Sequence, residues 1–152
     1  MCKNPSMKKI LILCALVLVG CNSINIKPNS LNKSETIAAF DRGGYTMKFA
    51  AKQELEKRGF KVIIGKTKAM MTAGNDNDYE LLDTMGARYV LKTYEEKERF
   101  NPYCMFNGWW WWRFNVSIAD QKTGEELLAW SGRGCANANL RRLNRLITQV
   151  EK

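Results

Sequence analysis

Apolar residues recur along this chain with two different periods, and the switches between them divide it into elements. The first apolar stretch is continuous: Ile10 to Val19 follows Lys8 and Lys9 and closes on Gly20-Cys21. Residues 22–34 are polar, with Pro28 and several Asn, Ser and Lys, a composition that predicts a flexible tether. Thr36 to Phe40 suits a short strand, and Gly43-Gly44 breaks it. From Tyr45 to Arg58 the pattern turns helical. Met47, Ala51 and Leu55 recur every fourth residue while Lys48, Lys52, Glu56 and Lys57 fall outside them. Gly59 stands where a left-handed helix terminator belongs. Phe60 to Ile64 is apolar and β-branched, a strand. Lys66 to Asn77 is polar and loop-like. Tyr79 to Met85 is expected to be a short helix, capped from Asp76 to Asp78 and ended by Gly86.

The second half carries three longer strands: Ala87 to Lys97, Trp109 to Asp120 and Glu126 to Arg133. Between the first two lies a loop around Asn101-Pro102-Tyr103-Cys104. Between the last two, Asp120 to Gly124 reads as a hairpin turn with Gly124 at the positive-φ position. Asn137 to Val150 is an amphipathic helix, with Leu140, Leu143, Ile147 and Val150 on one face and Arg141, Arg142 and Arg145 off it. Strands gathered in this order with two main helices predict an α+β (or α/β) two-layer sandwich: a small mixed sheet of four to five strands, helices on one face and a C-terminal helix.

The N-terminal run alters the meaning of the remaining residues. A charged start, a ten-residue apolar core and a small residue before the cut form the pattern of a secretory signal. The run falls short of the roughly 20 apolar residues needed to span a bilayer. Leu18-Val19-Gly20-Cys21 resembles the lipobox of bacterial lipoproteins. That resemblance implies removal of residues 1–20, acyl chains on Cys21, and a domain outside the cytoplasm. Asn22 follows the cysteine in place of the aspartate that holds enterobacterial lipoproteins at the inner membrane. By the same resemblance, the outer membrane is favoured. Met7-Lys8-Lys9 is a second possible start of translation. The expected organisation is a signal over 1–20, a lipidated tether over 21–34 and one domain over 35–152.

Charge and cysteine count change with that organisation. The whole chain holds 24 Lys and Arg against 15 Asp and Glu, with no histidine. Loss of Lys3, Lys8 and Lys9 takes the formal charge from +9 to +6. Such an excess favours anionic headgroups, cell-wall polymers or an acidic partner over nucleic acid in that compartment. Cys2 and Cys14 lie in the discarded segment and Cys21 takes lipid, which leaves Cys104 and Cys135. An even pair in an oxidising compartment predicts a disulfide. If the hairpin turn centres near Lys122 and Thr123, Cys135 ends its strand beside Trp109 and Trp110, close to Cys104. The alternative, a redox or metal pair, is weakened by the absence of histidine.

Three fragments carry a second resemblance: Glu54-Leu55-Glu56-Lys57-Arg58-Gly59-Phe60-Lys61-Val62, Gly86-Ala87-Arg88-Tyr89-Val90-Leu91 and Lys122-Thr123-Gly124-Glu125. With the layout from Thr36 to Arg133, they resemble small envelope domains of the TolB N-terminal, curli-secretion and exopolysaccharide-export lipoprotein type. The resemblance implies a non-catalytic, often oligomeric assembly part.

Trp109 to Trp112 is the most unusual stretch of the domain. On a strand, alternate side chains face opposite ways. Trp110, Trp112, Phe114, Val116 and Ile118 then form a core face, while Trp109, Trp111, Arg113, Asn115 and Ser117 form the other. Three uses of Trp109 and Trp111 stay open on the sequence. They pack against neighbouring strands, they bind another protein or a second copy, or they meet a membrane interface or a glycan, with Arg113 and Arg133 lending charge to either of the last two.

Catalytic chemistry finds little to stand on. Without histidine there is no histidine-based triad and no ordinary zinc site. No Gly-rich phosphate loop precedes a lysine. Glu95, Glu96 and Glu98 read as a solvated strand face and not as a glycosidase pair, which would need a cleft. Asp76 and Asp78 lack the further oxygen ligands of a calcium loop. The expectation is a non-enzyme without metal or cofactor beyond the covalent lipid. It would act as an accessory or scaffold subunit through a protein partner or its own copies, with glycan binding as the alternative.

Overall fold

A computed structural model describes residues 22–40, 44–69, 80–83 and 86–151. Cys21 and the apolar run before it, and Asp76 and Asp78, lie outside the described residues. The strands are β1 (Ser23–Ile26), β2 (Thr36–Phe40), β3 (Lys61–Ala69), β4 (Glu80–Asp83), β5 (Tyr89–Phe100), β6 (Trp110–Asp120) and β7 (Glu126–Cys135). The helices are α1 (Tyr45–Lys57) and α2 (Ala136–Glu151), with a 3₁₀ turn at Pro102–Cys104.

The sheet runs β1-β7-β6-β5-β2-β3-β4. β2 lies parallel to both β3 and β5, while β5, β6 and β7 form an antiparallel meander with β1 antiparallel on its outer edge. β4 pairs with residues 66–69 of β3, beyond the stretch that pairs with β2, so the main ladder has six strands. The mixed α+β class is as expected, but the sheet is larger than the four to five strands predicted.

Both extra strands correct the sequence reading. The segment read as a short helix, Tyr79 to Met85, contains β4. A four-residue strand takes its conformation from its partner more than from its own propensity. Residues 22–34, read as a flexible tether, contain β1 and remain attached to the domain afterwards. Ile24 and Ile26 alternate with polar neighbours, Lys27 N–H donates to Leu127 O (2.9 Å), Ser30 N–H donates to Val150 O (3.1 Å), and Leu31 is buried. Two isoleucines two residues apart are a strand signal that polar flanks conceal.

Both helices cover one face. Met47, Ala51 and Leu55 of α1 meet Leu143, Ile147 and Val150 of α2 above Ile37, Leu91, Phe114, Val116, Ile118, Leu128 and Trp130. Trp130 and Phe114 pack with ring centroids 4.2 Å apart. Arg58, at the end of α1, donates to Glu54 (2.6 Å), to Thr148 (2.7 Å) and to Glu151 (2.9 Å) of α2, and Lys33 also pairs with Glu151 at 2.6 Å. Hydrogen bonds from Lys33 and Arg58 hold the Glu151 carboxyl below the usual carboxylate range. The hairpin turn forms as expected, with Gly124 at φ 72° and its N–H donating to Asp120 O at 2.8 Å.

The start of α1 is capped from another strand. Glu95 of β5 accepts from the N–H groups of Thr46 and Met47, each at 2.8 Å, which satisfies two donors that a helix start leaves unpaired. The N-cap residue is Gly44, where a Cβ would lie 2.7 Å from Cγ of Glu95. Only glycine allows that approach.

Candidate interaction surface

Among the described residues no helix covers the sheet face opposite α1 and α2, and the strand register decides what it presents. Arg113 pairs with Arg133 and Trp111 with Cys135 across β6 and β7; Glu96 pairs with Arg113, and Tyr94 with Asn115, across β5 and β6. Directly opposed arginines repel. Glu98 offsets this by accepting from Arg113 at 3.0 Å and pairing with Arg133 at 3.2 Å, while Glu96 stands 3.7 Å from Arg113. Glu98 is the better shielded partner, with its side chain 20% exposed against 47% and 56% for the arginines. Tyr94, Arg99, Trp111, Arg113, Asn115 and Arg133 line a shallow groove of about 680 Å³ over this face.

Three of the four residues expected to form a patch, Trp111, Arg113 and Arg133, thus share this groove. Trp109 does not join them. β6 begins at Trp110, and Trp109 adopts φ 63°, so the alternation extrapolated from the strand fails one residue before it. Instead, Trp109 closes the 101–109 loop. Its N–H donates to Cys104 O (2.8 Å), its carbonyl accepts from Asn101 N (2.9 Å), and its ring stacks on Phe100 with centroids 5.7 Å apart. The expected core face is sealed at Phe114, Val116 and Ile118, whereas Trp110 and Trp112 are half-buried. Lys97 stands 3.4 Å from the Trp110 ring centroid, and the Trp112 indole N–H has no acceptor among the described residues.

Cys104 and Cys135 form a disulfide, with Cα atoms 5.4 Å apart, as the cysteine count predicts. It ties the 3₁₀ turn to the end of β7. Further ties hold the loop: Asn137 N–H donates to Asn107 O at 3.2 Å, and Arg141 donates to Asn107 Oδ1 at 2.7 Å. What the sequence did not reveal is how much aromatic surface this fixed loop exposes. Tyr103 is 92% exposed and Phe106 87%, beside Phe100, Met105 and Trp109.

The carboxylates weighed as catalytic candidates are all engaged. Glu95 caps α1, Glu98 bridges two arginines, and Glu96 accepts from the Tyr94 hydroxyl at 3.0 Å. That hydrogen bond, with some burial, raises the Tyr94 pKa above its ordinary value. Among the described residues, no helix is long and apolar enough to cross a membrane.

No family model and no curated protein matches the chain. Its fold is similar to two structures of the PelC dodecamer from Paraburkholderia phytofirmans, one of them a point variant. Each is 15% identical over 88% of this chain and 98% of that one, with TM-scores of 0.55 and, for the variant, 0.54. A TolB structure from Acinetobacter baumannii overlaps more loosely, at 12% identity over 86% of this chain and 30% of that one, with a TM-score of 0.46. The PelC likeness is one of fold.

Proposed function

We propose that this chain is a lipoprotein of the bacterial outer membrane. Residues 1–20 are removed, acyl chains on Cys21 hold it there, and the domain in the periplasm acts without catalysis as an accessory or scaffold subunit of a larger envelope assembly. The observation that carries this reading is the fold it shares, over nearly the full length of both chains, with a protein that forms a dodecamer. A sheet with both described helices on one side and a charged groove on the other suits a part that docks against copies of itself or another envelope protein. The motif Leu18-Val19-Gly20-Cys21 supports the anchor, and Asn22 supports the outer membrane. The engaged carboxylates and the absence of histidine favour binding over catalysis.

Crosslinking in intact cells followed by pull-down tests this function. A ladder of copies or one defined envelope partner is expected. Recovery of monomer alone would count against it. A second reading, glycan binding, draws on Tyr94 and Trp111 beside Arg113 and Asn115 in the groove. It predicts polysaccharide binding that a Tyr94→Ala/Trp111→Ala double variant abolishes.

A further inference from the structure

The open groove concerns partners in the periplasm; the aromatic loop at the end of the sheet concerns something else. We propose that this loop rests on the bilayer that holds the lipid, with Tyr103, Phe106 and Trp109 in the interfacial layer and the arginines around them among anionic headgroups. The inference rests on acylation of Cys21 and adds that the domain lies flush with the membrane in a fixed orientation.

Chain connectivity supplies the first argument. Cys21 is bonded to Asn22, so their Cα atoms are about 3.8 Å apart. Asn22 is already part of the fold. Its side chain occupies the space over Gly132 that any Cβ there would need, and Phe114 would stand 3.2 Å from the same Cβ. Ser23 then pairs with Ser131. With no free linker between anchor and domain, the end of the sheet where β1 starts faces the membrane.

Topology says what lies at that end. β1 runs antiparallel to β7, so its start is level with the end of β7, and Cys135 at that end pairs with Trp111 at the start of β6. The 101–109 loop is disulfide-bonded to Cys135 and therefore belongs to the same end. Residue spacing along a strand is about 3.3 Å, so Cys135, four residues beyond Ser131, lies about 13 Å past the level of Ser23. The loop thus reaches toward the plane where the acyl chains enter and past it.

Surface chemistry agrees. Tyr103 at 92%, Phe106 at 87%, Phe100 at 53%, and Met105 and Trp109 at 45% exposure make a cluster that water disfavours, yet the loop is fixed by a disulfide and by hydrogen bonds from Asn137 and Arg141. Aromatic rings suit the headgroup layer, where one edge is wet and the body apolar. No acidic residue occurs between Glu98 and Asp120 or between Glu126 and Glu151, while Arg99 directly precedes Phe100 and Arg141 donates to Asn107 of the loop at 2.7 Å. Cations beside a lipid surface strengthen attachment to anionic headgroups.

The test uses the full-length chain purified from membranes and reconstituted into vesicles of phosphatidylethanolamine and phosphatidylglycerol, with or without bromine high on the acyl chains. Bromine quenches tryptophan emission on contact, and an interfacial Trp109 predicts a loss of up to about a fifth, its share of the chain's five tryptophans. Most of that loss should vanish in Trp109→Phe, and it should shrink in Tyr103→Ser/Phe106→Ser, whose exposed positions leave the fold intact. Protein that floats with the vesicles yet emits equally in both lipids would overturn the docking and leave the anchor standing. Unacylated protein that fails to float would overturn the anchor and the docking with it. Equal emission together with crosslinks between copies through residue 106 would assign the loop to a protein contact and reject the membrane surface.

Discussion

The two halves of β6 make opposite use of the same alternation. From Phe114 onward, every second residue is sealed: Phe114, Val116 and Ile118 are 1% exposed or less beneath α1 and α2. From Trp110 to Trp112 the strand is richer in apolar surface yet only half covered: Trp112 shares a small cavity with Met47, Ala136 and Leu140 at the starts of the two helices, and Trp110 meets the Phe100 ring edge-on. Burial at one end of the strand follows from having a second layer. Exposure at the other places aromatic surface where the rest of the fold could have covered it. The difference separates residues that hold the domain together from residues available to something outside it.

That contrast can be broken at several points. The largest effect belongs to the covered half. Trp130 is fully buried against Phe114, so Trp130→Ala should cost about 3–5 kcal/mol in urea unfolding. Phe106→Ser, at the uncovered end, should stay within about 0.5 kcal/mol of the parent. Equal losses would erase the distinction. Next comes the disulfide, which closes a span of 31 residues. In the chain-entropy model its removal in Cys104→Ser/Cys135→Ser costs about 3–4 kcal/mol, and amide exchange should accelerate most in the 101–109 loop.

A smaller loss is expected from Glu95→Ala, which leaves the N–H groups of Thr46 and Met47 without their carboxylate acceptors and should cost about 1–2 kcal/mol, visible as faster exchange at the start of α1. The smallest effect is one of pH. Hydrogen bonds from Arg88 hold the Asp120 carboxyl below its ordinary value, and Lys33 and Arg58 do the same for Glu151. A carboxylate with a lowered folded-state pKa stabilises the fold above its unfolded value. That stability is lost as pH falls through the folded one, so the urea midpoint should drop below about pH 4. Arg88→Ala should flatten that drop; an unchanged profile would show that the Asp120 pair contributes nothing.

Much of this was legible in the sequence wherever a pattern ran long enough. α1, α2 and the β5–β7 meander each span ten residues or more, and their apolar periods identify them. The hairpin turn places Arg113 beside Arg133 and brings Cys135 toward Cys104, as the register bears out. Short elements were not legible. β1 and β4 have four residues each and owe their conformation to β7 and β3. The tether was misjudged because polar neighbours masked the Ile24 and Ile26 alternation. Trp109 was misplaced because its φ of 63° breaks the strand geometry that the tryptophan run suggests. Contacts across the fold, such as Glu95 on the start of α1 and Glu98 between two arginines, leave no local trace.

Native mass spectrometry of the chain extracted from bacterial membranes in mild detergent tests the central claim most directly, because one spectrum reports both anchor and assembly. A chain that begins at Cys21, carries acyl mass on that residue and flies as a complex of several copies or with one other envelope protein is the predicted result. An unacylated monomer with residues 1–20 still attached would contradict it.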